Sequence, residues 1–571
     1  MKPDNSSHTT FSLLYPSEKP QPAVFQNWGK NTRVDLGLDV LAGAISHERK
    51  YESAIKTLLL ELCSDTEVII YRQEILADFI NQPEIAEQFA ALLPMLARLQ
   101  GQTAIQLSGR QDPIHQTLSR LTELNTHLEC VRQLRAALQT GQAQFQSRGL
   151  RELDGMVAQV ETDETFQALS QNLPELIARL NGVPSITLGI NLDRELRPVE
   201  AVLLSINDQP FKADSLLDRL MGRAKKRKDQ HAIGPLHSVN FEDNDPLVRL
   251  PARVDPLMVP LFRDVFDVLK AVINPITSAL RQYAHIQANL LLPLENEIAF
   301  YLGAAALIKR LQSHGLPVCR PQVMSLQARA IHLTGMYNLL LAWQRVIENE
   351  DGTPIIINDV DFGPDGRIFI LTGPNQGGKT VYTQAVGLIQ ILFQAGLYVP
   401  AEQASLSPVD GIYTHFSTEE EFNSRLGRLS EEALRLSEIF KTLTRHSLVL
   451  LNESLSSTSP SESFYLSLDI VRALRLYETR AIFATHLHEL AADLETINAE
   501  GSSDSRVVSL VAGVSLPDET PEPPDQLVTR TFQIKPGPPR GLSYARGIAR
   551  QFGISFEQLA AQQHNQPDAN E

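Results

Sequence analysis

The sequence predicts a multidomain chain in which an all-helical part, interrupted by a small β-rich insert, is followed by a doubly wound α/β domain. Three observations predict it. From Asp35 to about Leu180, apolar residues recur every three or four positions with charges between them, the period of amphipathic helices. Around Pro184 that period gives way to two short runs rich in β-branched residues. Beyond Gly315, short apolar runs alternate with helix-like stretches, the pattern of a sheet with helices packed on it.

In chain order, residues 1–30 are polar and rich in Pro and Ser, and are expected to form a flexible tail. Residues 31–315 are expected to form one helical domain, with apolar stripes through Leu58–Leu62, Ile69–Ile80 and Ile85–Leu99. Within it, an insert over about 181–250 carries two strands, Ser185–Asn191 and Ala201–Ile206. Helical periodicity resumes at Pro256 and runs to about His314. Residues 316–571 form the α/β part. Arg367–Thr372, Ser447–Leu451 and Ala481–Thr485 read as buried strands, and Val381–Ala395 reads as the helix after the first of them. Gly501–Asp525 is polar and acidic around an apolar interval at Val507–Val511, which reads as a hairpin with a long loop.

Composition narrows the function. The 571 residues carry 51 Lys and Arg against 67 Asp and Glu, a net charge of −16. Such a chain is no general polycation, so any nucleic-acid contact must use a local basic patch. Three cysteines without a CxxC pair give neither a disulfide framework nor a Cys-based zinc site. No apolar run approaches the ~18 residues of a membrane-spanning helix, and the N-terminus has no signal-peptide core. The expected location is cytoplasmic.

One motif carries the chemistry. Gly373, Pro374, Asn375, Gln376, Gly377, Gly378, Lys379 and Thr380 match GxxxxGK[ST] in full, with a strand before and a helix after. Glycines let backbone N–H groups turn inward onto phosphate oxygens, and the following helix points its positive end at the same anion. Lys379 supplies a point charge and Thr380 a hydroxyl for Mg²⁺. ATP and Mg²⁺ are the expected ligands.

Two further elements fit the same site. Leu448–Leu451 ends in Asn452-Glu453, a buried strand delivering polar groups to the sheet's carboxyl edge. The first of such a pair is usually Asp. Asn452 can still accept from a metal-bound water but lacks the charge, so Mg²⁺ retention is expected to be weaker. Glu453 is placed to polarise an attacking water. Thr485-His486 closes the third strand, where a histidine can sense the outermost phosphate.

These residues resemble a known family. TGPNQGGKT, the LNES…TSP segment and FATHLHEL are similar to the ATPase domain of the MutS family of DNA mismatch-repair proteins. Ser543-Tyr544 resembles that family's C-terminal segment, Asp65–Phe79 the start of its helical lever, and Ser185–Pro198 a clamp-type strand. The resemblance implies an all-α lever/core domain with a clamp-like insert, then a P-loop α/β ATPase domain of ABC-like type. It implies that Asn375, Gly378, Lys379 and Thr380 bind phosphates and Mg²⁺, that Glu453 is the catalytic carboxylate and that His486 is a switch histidine. It also implies a homodimer, in which Thr458 and Ser459 cross toward the partner and Ser430 reaches the partner's nucleotide. Ser430 equally reads as a plain helix N-cap.

The chain departs from the family in three places. Asn452 stands where Asp is usual. Pro354–Asn358 stands where an adenine-stacking aromatic is often found. The sequence has no Phe-x-Glu tripeptide, and the expectation is a MutS-like ATPase without the mismatch-recognition domains.

Arg219, Arg223, Lys225, Lys226, Arg227 and Lys228 form a basic cluster inside the insert. It reads either as a phosphate-contacting patch or as a solvated charged loop between Asp218 and Asp229. Two functions follow. The first is an ATPase that couples nucleotide state to duplex or branched DNA through a dimeric clamp, in repair or recombination. The alternative is a nucleotide-gated protein scaffold with weak or no hydrolysis and no DNA ligand.

Overall fold

The computed structural model describes residues 11–18, 28, 31–107, 113–141, 145–181, 185–192, 194–195, 198–207, 273–283, 291–348, 354–374, 376–417, 427–500, 503–515, 529–539 and 553–559. The chain divides into two compact units. One comprises Met1–Leu93, Ala137–Leu153 and Pro293–Glu571; the other comprises Pro94–Ala136 and Asp154–Leu292.

The second unit is built from long helices and one hairpin. Its helical segments lie within Pro83–Leu107, Pro113–Gly141, Arg148–Thr162 and Glu164–Asn181. They bury Leu124, Leu128, Val131, Phe166 and Leu173, the three-and-four spacing that the sequence shows. Strands β1 (Ser185–Leu192) and β2 (Pro198–Asn207) pair antiparallel, with Ile190 opposite Ala201.

The first unit holds the sheets. A mixed four-stranded sheet, order β3-β7-β4-β5, contains β3 (Gln322–Val323), β4 (Ile331–Met336), β5 (Asn358–Phe362) and β7 (Gln403–Leu406). A six-stranded sheet follows the order β12-β11-β6-β10-β9-β8. Its strands are β6 (Ile368–Thr372), β8 (Ile412–Phe416), β9 (Leu448–Asn452), β10 (Arg480–Ala484), β11 (Val507–Ser515) and β12 (Thr529–Pro536). All pairs are parallel except β11 with β12, a hairpin whose second strand lies beyond the Gly501–Asp525 stretch in which the sequence placed it.

Every residue of β6, β8, β9 and β10 is buried, because helices cover both faces. Ile368, Ile370, Val449, Leu451 and Phe483 face Leu436, Ile439, Val471 and Leu474 of the helices Arg428–Thr442 and Pro460–Leu476. The helix Lys379–Gln394 packs along β9 and β10. Its Gly387 leaves room for the side chains of Leu36 and Leu450, which a methyl group there would meet at 2.8 Å.

Residues 11–16 correct the expectation of a flexible tail: they are packed. Phe11, Leu13 and Tyr15 are buried. Ser12 Oγ and Leu13 N donate to Glu297 at 2.6 and 2.7 Å, and Arg72 Nε donates to Leu14 O at 2.9 Å. Burial pushes the Glu297 carboxyl up to about 7, against the pull of Ser12 and Leu13. Alternating apolar residues in a polar segment are enough to dock it as a strap on the helices Thr66–Asn81 and Leu294–Ser313.

The next segment guards an open sheet edge. Thr32 Oγ1 donates to Ile412 O at 3.3 Å and accepts from Thr414 N at 3.2 Å, occupying backbone groups that edge strand β8 would otherwise expose. Among the described residues no helix is long and apolar enough to cross a membrane.

Candidate active site

Parallel strands gather functional groups at their carboxyl ends. β6 runs into Gly373, β9 into Glu453 and β10 into Thr485-His486, and these three strands are neighbours in the sheet. Side chains far apart in sequence therefore converge.

Two positions of the loop after β6 call for glycine. Gly373 has φ 145°, and a methyl group there would lie 2.6 Å from Ala512 Cβ. Gly378 has φ 90° and caps the helix Lys379–Gln394 without any side-chain hydrogen bond to its first turn. Backbone N–H groups at that helix start face outward, a cradle suited to phosphate oxygens. Lys379 is buried, and its Nζ donates to the carbonyls of Gly373 and Pro374, both at 3.1 Å. Burial holds its ammonium below the usual range, opposed by the charge of Glu453.

Glu453 lies 3.9 Å from Lys379 Nζ and 2.8 Å from His486 Nε2. The histidine bond, helped by Lys379 and opposed by burial, holds the Glu453 carboxyl below its usual range. The carboxylate is therefore the acceptor and His486 Nε2–H the donor. Glu453 sits at φ 54° and Leu455 at φ 62°, unusual for residues with side chains and costing roughly 1–2 kcal/mol each.

Thr380 Oγ1 donates to Asn452 Oδ1 at 3.1 Å. A hydroxyl and an amide oxygen thus stand together, a neutral pair of hard oxygen donors. No cluster of three or more His, Cys, Asp or Glu suited to a metal exists among the described residues. The Thr380–Asn452 pair of oxygens is of the kind Mg²⁺ accepts, since that ion takes few protein ligands and completes its shell with water and substrate phosphates.

A cavity of about 780 Å³ opens over this loop. Gln376–Thr380 and Glu453 line one side, Tyr337, Asn338, Leu341 and Arg345 another, and Pro354, Ile356, Asn358, Thr531 and Phe532 the rest. The stretch Pro354–Asn358 thus supplies an apolar wall without an aromatic. Phe532 on β12, which the sequence did not single out, brings an aromatic ring to the lining, alongside Tyr337 and Tyr382. Its backbone is anchored by Asn358, whose Nδ2 donates to Phe532 O at 3.2 Å and whose Oδ1 accepts from Ile534 N at 2.6 Å. The sequence signal was slender: one aromatic in an alternating strand.

Other expected residues fall elsewhere. Ser430 is the third residue of the helix Arg428–Thr442, exposed and outside the cavity lining. Gly427 is the N-cap, which corrects the alternative reading of Ser430 as the cap. Ser459 N-caps the helix Pro460–Leu476, accepting from Glu462 N at 3.4 Å, and Thr458 donates to the Glu462 carboxylate. Asn375, the basic cluster Arg219, Arg223, Lys225, Lys226, Arg227 and Lys228, and Ser543-Tyr544 lie outside the described residues.

Comparison with known proteins gives two family matches. Residues 64–314 match the MutS2 N-terminal domain, and residues 369–514 match MutS domain V. Among curated relatives, an endonuclease MutS2 of Bacillus velezensis is 31% identical over 201 residues, covering 35% of this chain and 23% of that protein. An endonuclease MutS2 of Geobacillus kaustophilus is 29% identical over 244 residues, 41% of this chain and 29% of the relative. A DNA mismatch repair protein MutS of Chlorobium phaeobacteroides is 34% identical over 179 residues, 31% of this chain and 20% of the relative. The matched part of this chain spans less than a third of the length of each of these relatives.

Proposed function

The chain belongs to the MutS family, and we propose that it is a Mg²⁺-dependent ATPase that couples nucleotide state to DNA binding, in DNA repair or recombination. The observation that carries this reading is the convergence of the phosphate loop and Glu453 on one cavity, with His486 bonded to Glu453 and Lys379 beside it.

Each residue has a distinct task in it. The amides of Gly378 and Lys379 would hold phosphate oxygens, with Lys379 Nζ turning from the Gly373 and Pro374 carbonyls to the outer phosphates. Glu453, kept ionised by His486 and Lys379, would orient a water and accept its proton. His486, bonded to that carboxylate, would sense whether the outermost phosphate is present. Thr380 and Asn452 would present oxygens to Mg²⁺, which supplies charge to the transferring phosphoryl group. Phe532 would stack on the base.

The larger organisation belongs to the same proposal. Residues 31–315 would act as lever and core with a clamp-like insert over about 181–250, and residues 316–571 as the ATPase domain. Two copies would pair, Ser430 reaching the partner's nucleotide. Nucleotide moves such arms only as far as it binds one arm geometry better than another. The cations from Arg219 to Lys228 would touch DNA phosphates.

The neutral Thr380–Asn452 pair supports a second reading, a nucleotide-gated scaffold with little hydrolysis and no DNA ligand. DNA affinity measured against salt separates the two. The first predicts a log–log slope of about −5 if all six cations engage, reduced when Lys225, Lys226 and Lys228 are changed to Gln. Weak binding with a slope unaltered by those changes favours the scaffold.

A further inference from the structure

Besides Ser463 Oγ of the helix Pro460–Leu476, which donates to Leu455 O, three groups hold the turn that follows β9. Glu453 N donates to Ala484 O on β10 at 2.8 Å. Ser454 Oγ donates to His415 O on β8 at 3.1 Å and lies 2.7 Å from His415 Nδ1. Leu455 N donates to Glu432 Oε2 at 2.7 Å, and Glu432 belongs to the helix Arg428–Thr442.

The first two tethers come from strands of the same sheet. The third is different, because it reaches a helix whose start is exposed. Glu432 itself is only 6% exposed. A carboxylate so far from water needs partners, and it has two: Leu455 N–H and, at 3.3 Å, Arg428 Nε. It lines no part of the nucleotide cavity. The turn it holds contains two residues at positive φ, Glu453 and Leu455. Strained backbone of this kind persists only while its surroundings enforce it.

We propose that Glu432 is a positioning residue for Glu453, making the helix Arg428–Thr442 and the hydrolytic turn one mechanical unit. The inference rests on the reading of Glu453 as the hydrolytic carboxylate. With the Leu455 N–H released, Leu455 relaxes out of the left-handed region. Glu453 then turns away from His486 and from Lys379. The phosphate loop is untouched, so nucleotide still binds. Whatever engages the exposed helix start at Arg428–Ser430 is transmitted to Glu453 through this one hydrogen bond.

The test uses the full chain as wild type, Glu432→Ala, Glu432→Asp and Glu432→Gln. Mg²⁺-dependent ATP turnover, the Kd for a fluorescent ATP analogue and thermal unfolding are measured on each. Glu432→Ala is expected to lose at least tenfold in kcat with Kd within twofold of wild type. Glu432→Gln keeps an acceptor oxygen for Leu455 N–H and is expected to recover most of that loss. Glu432→Asp keeps the charge but draws the acceptor back by one methylene, and carries the test if the alanine variant does not fold; a loss of kcat at unchanged Kd is expected there too. The acid limb of the pH profile should move to higher pH in the impaired variants, because Glu453 has lost its histidine partner. Folded variants with kcat within twofold of wild type, or with kcat and affinity lost in parallel, overturn this inference alone. A wild-type chain with no Mg²⁺-dependent turnover overturns the functional reading and this inference with it.

Discussion

His486 Nε2 and Glu453 Oε1 lie 2.8 Å apart across the carboxyl ends of the adjacent strands β10 and β9. The bond is the largest influence on Glu453, holding its carboxyl below the usual range. A depressed pKa keeps the base ionised as pH falls. Removing the histidine lets the pKa rise, so at a given acidic pH more of Glu453 is protonated. His486→Ala is therefore expected to move the acid limb of the kcat profile to higher pH, as well as lowering kcat. An acid limb that stays in place would show that the two residues do not act together.

Asn452 offers the cation a neutral oxygen where a carboxylate would add a charge. Asn452→Asp preserves the size and the bond to Thr380 Oγ1. It is expected to lower the Mg²⁺ concentration for half-maximal turnover on the order of tenfold, since ligand charge tunes affinity at such sites. Titration of turnover with Mg²⁺ measures it directly. An unchanged midpoint would remove Asn452 from the metal's surroundings.

Phe532 is 42% exposed yet lines the cavity above Gly378. Base–aromatic stacking contributes about 1–3 kcal/mol per base. Phe532→Ala is expected to weaken ATP binding between fivefold and a hundredfold, by about those energies, and to leave kcat at saturation near wild type. Equal ATP affinity in the two proteins would place the base elsewhere.

Two glycines in the helical layer of the first unit make a paired test of packing. Gly303 lies in the helix Leu294–Ser313, and a methyl group there would overlap the Ile45 carbonyl oxygen. Gly43 lies in the helix Leu38–Ile45 with nothing within 4 Å of the same position. Gly303→Ala is expected to destabilise by about 2–3 kcal/mol, and Gly43→Ala to stabilise by roughly 0.5–1 kcal/mol. Thermal midpoints should fall in the order Gly43→Ala, wild type, Gly303→Ala. The reverse order would contradict the packing.

What was legible in the sequence follows from how each element is stabilised. β6, β9 and β10 are buried on both faces, so they read as unbroken apolar runs. The small sheet was not legible. β3 has two residues and β7 mixes Gln and Ser with Ala and Leu, so neither has a period to detect. Residues 11–15 were masked by polar, Pro-rich neighbours, although Phe11, Leu13 and Tyr15 alternate. The phosphate loop, Glu453 and His486 announce themselves because their chemistry tolerates few residue types. Phe532 and Glu432 do not. The position of Phe532 depends on the pairing of β12 with β11, and Glu432 in sequence is one more charge on a helix.

Steady-state ATP hydrolysis by the full chain, compared with Glu453→Ala, tests the central claim most directly. Runs with Mg²⁺, with chelator, and with linear or branched duplex DNA are needed. Slow Mg²⁺-dependent turnover is predicted, raised by DNA and reduced at least a hundredfold in Glu453→Ala, the lower end of what a positioned general base contributes. Nucleotide binding without turnover, indifferent to Glu453 and to every DNA, would contradict it.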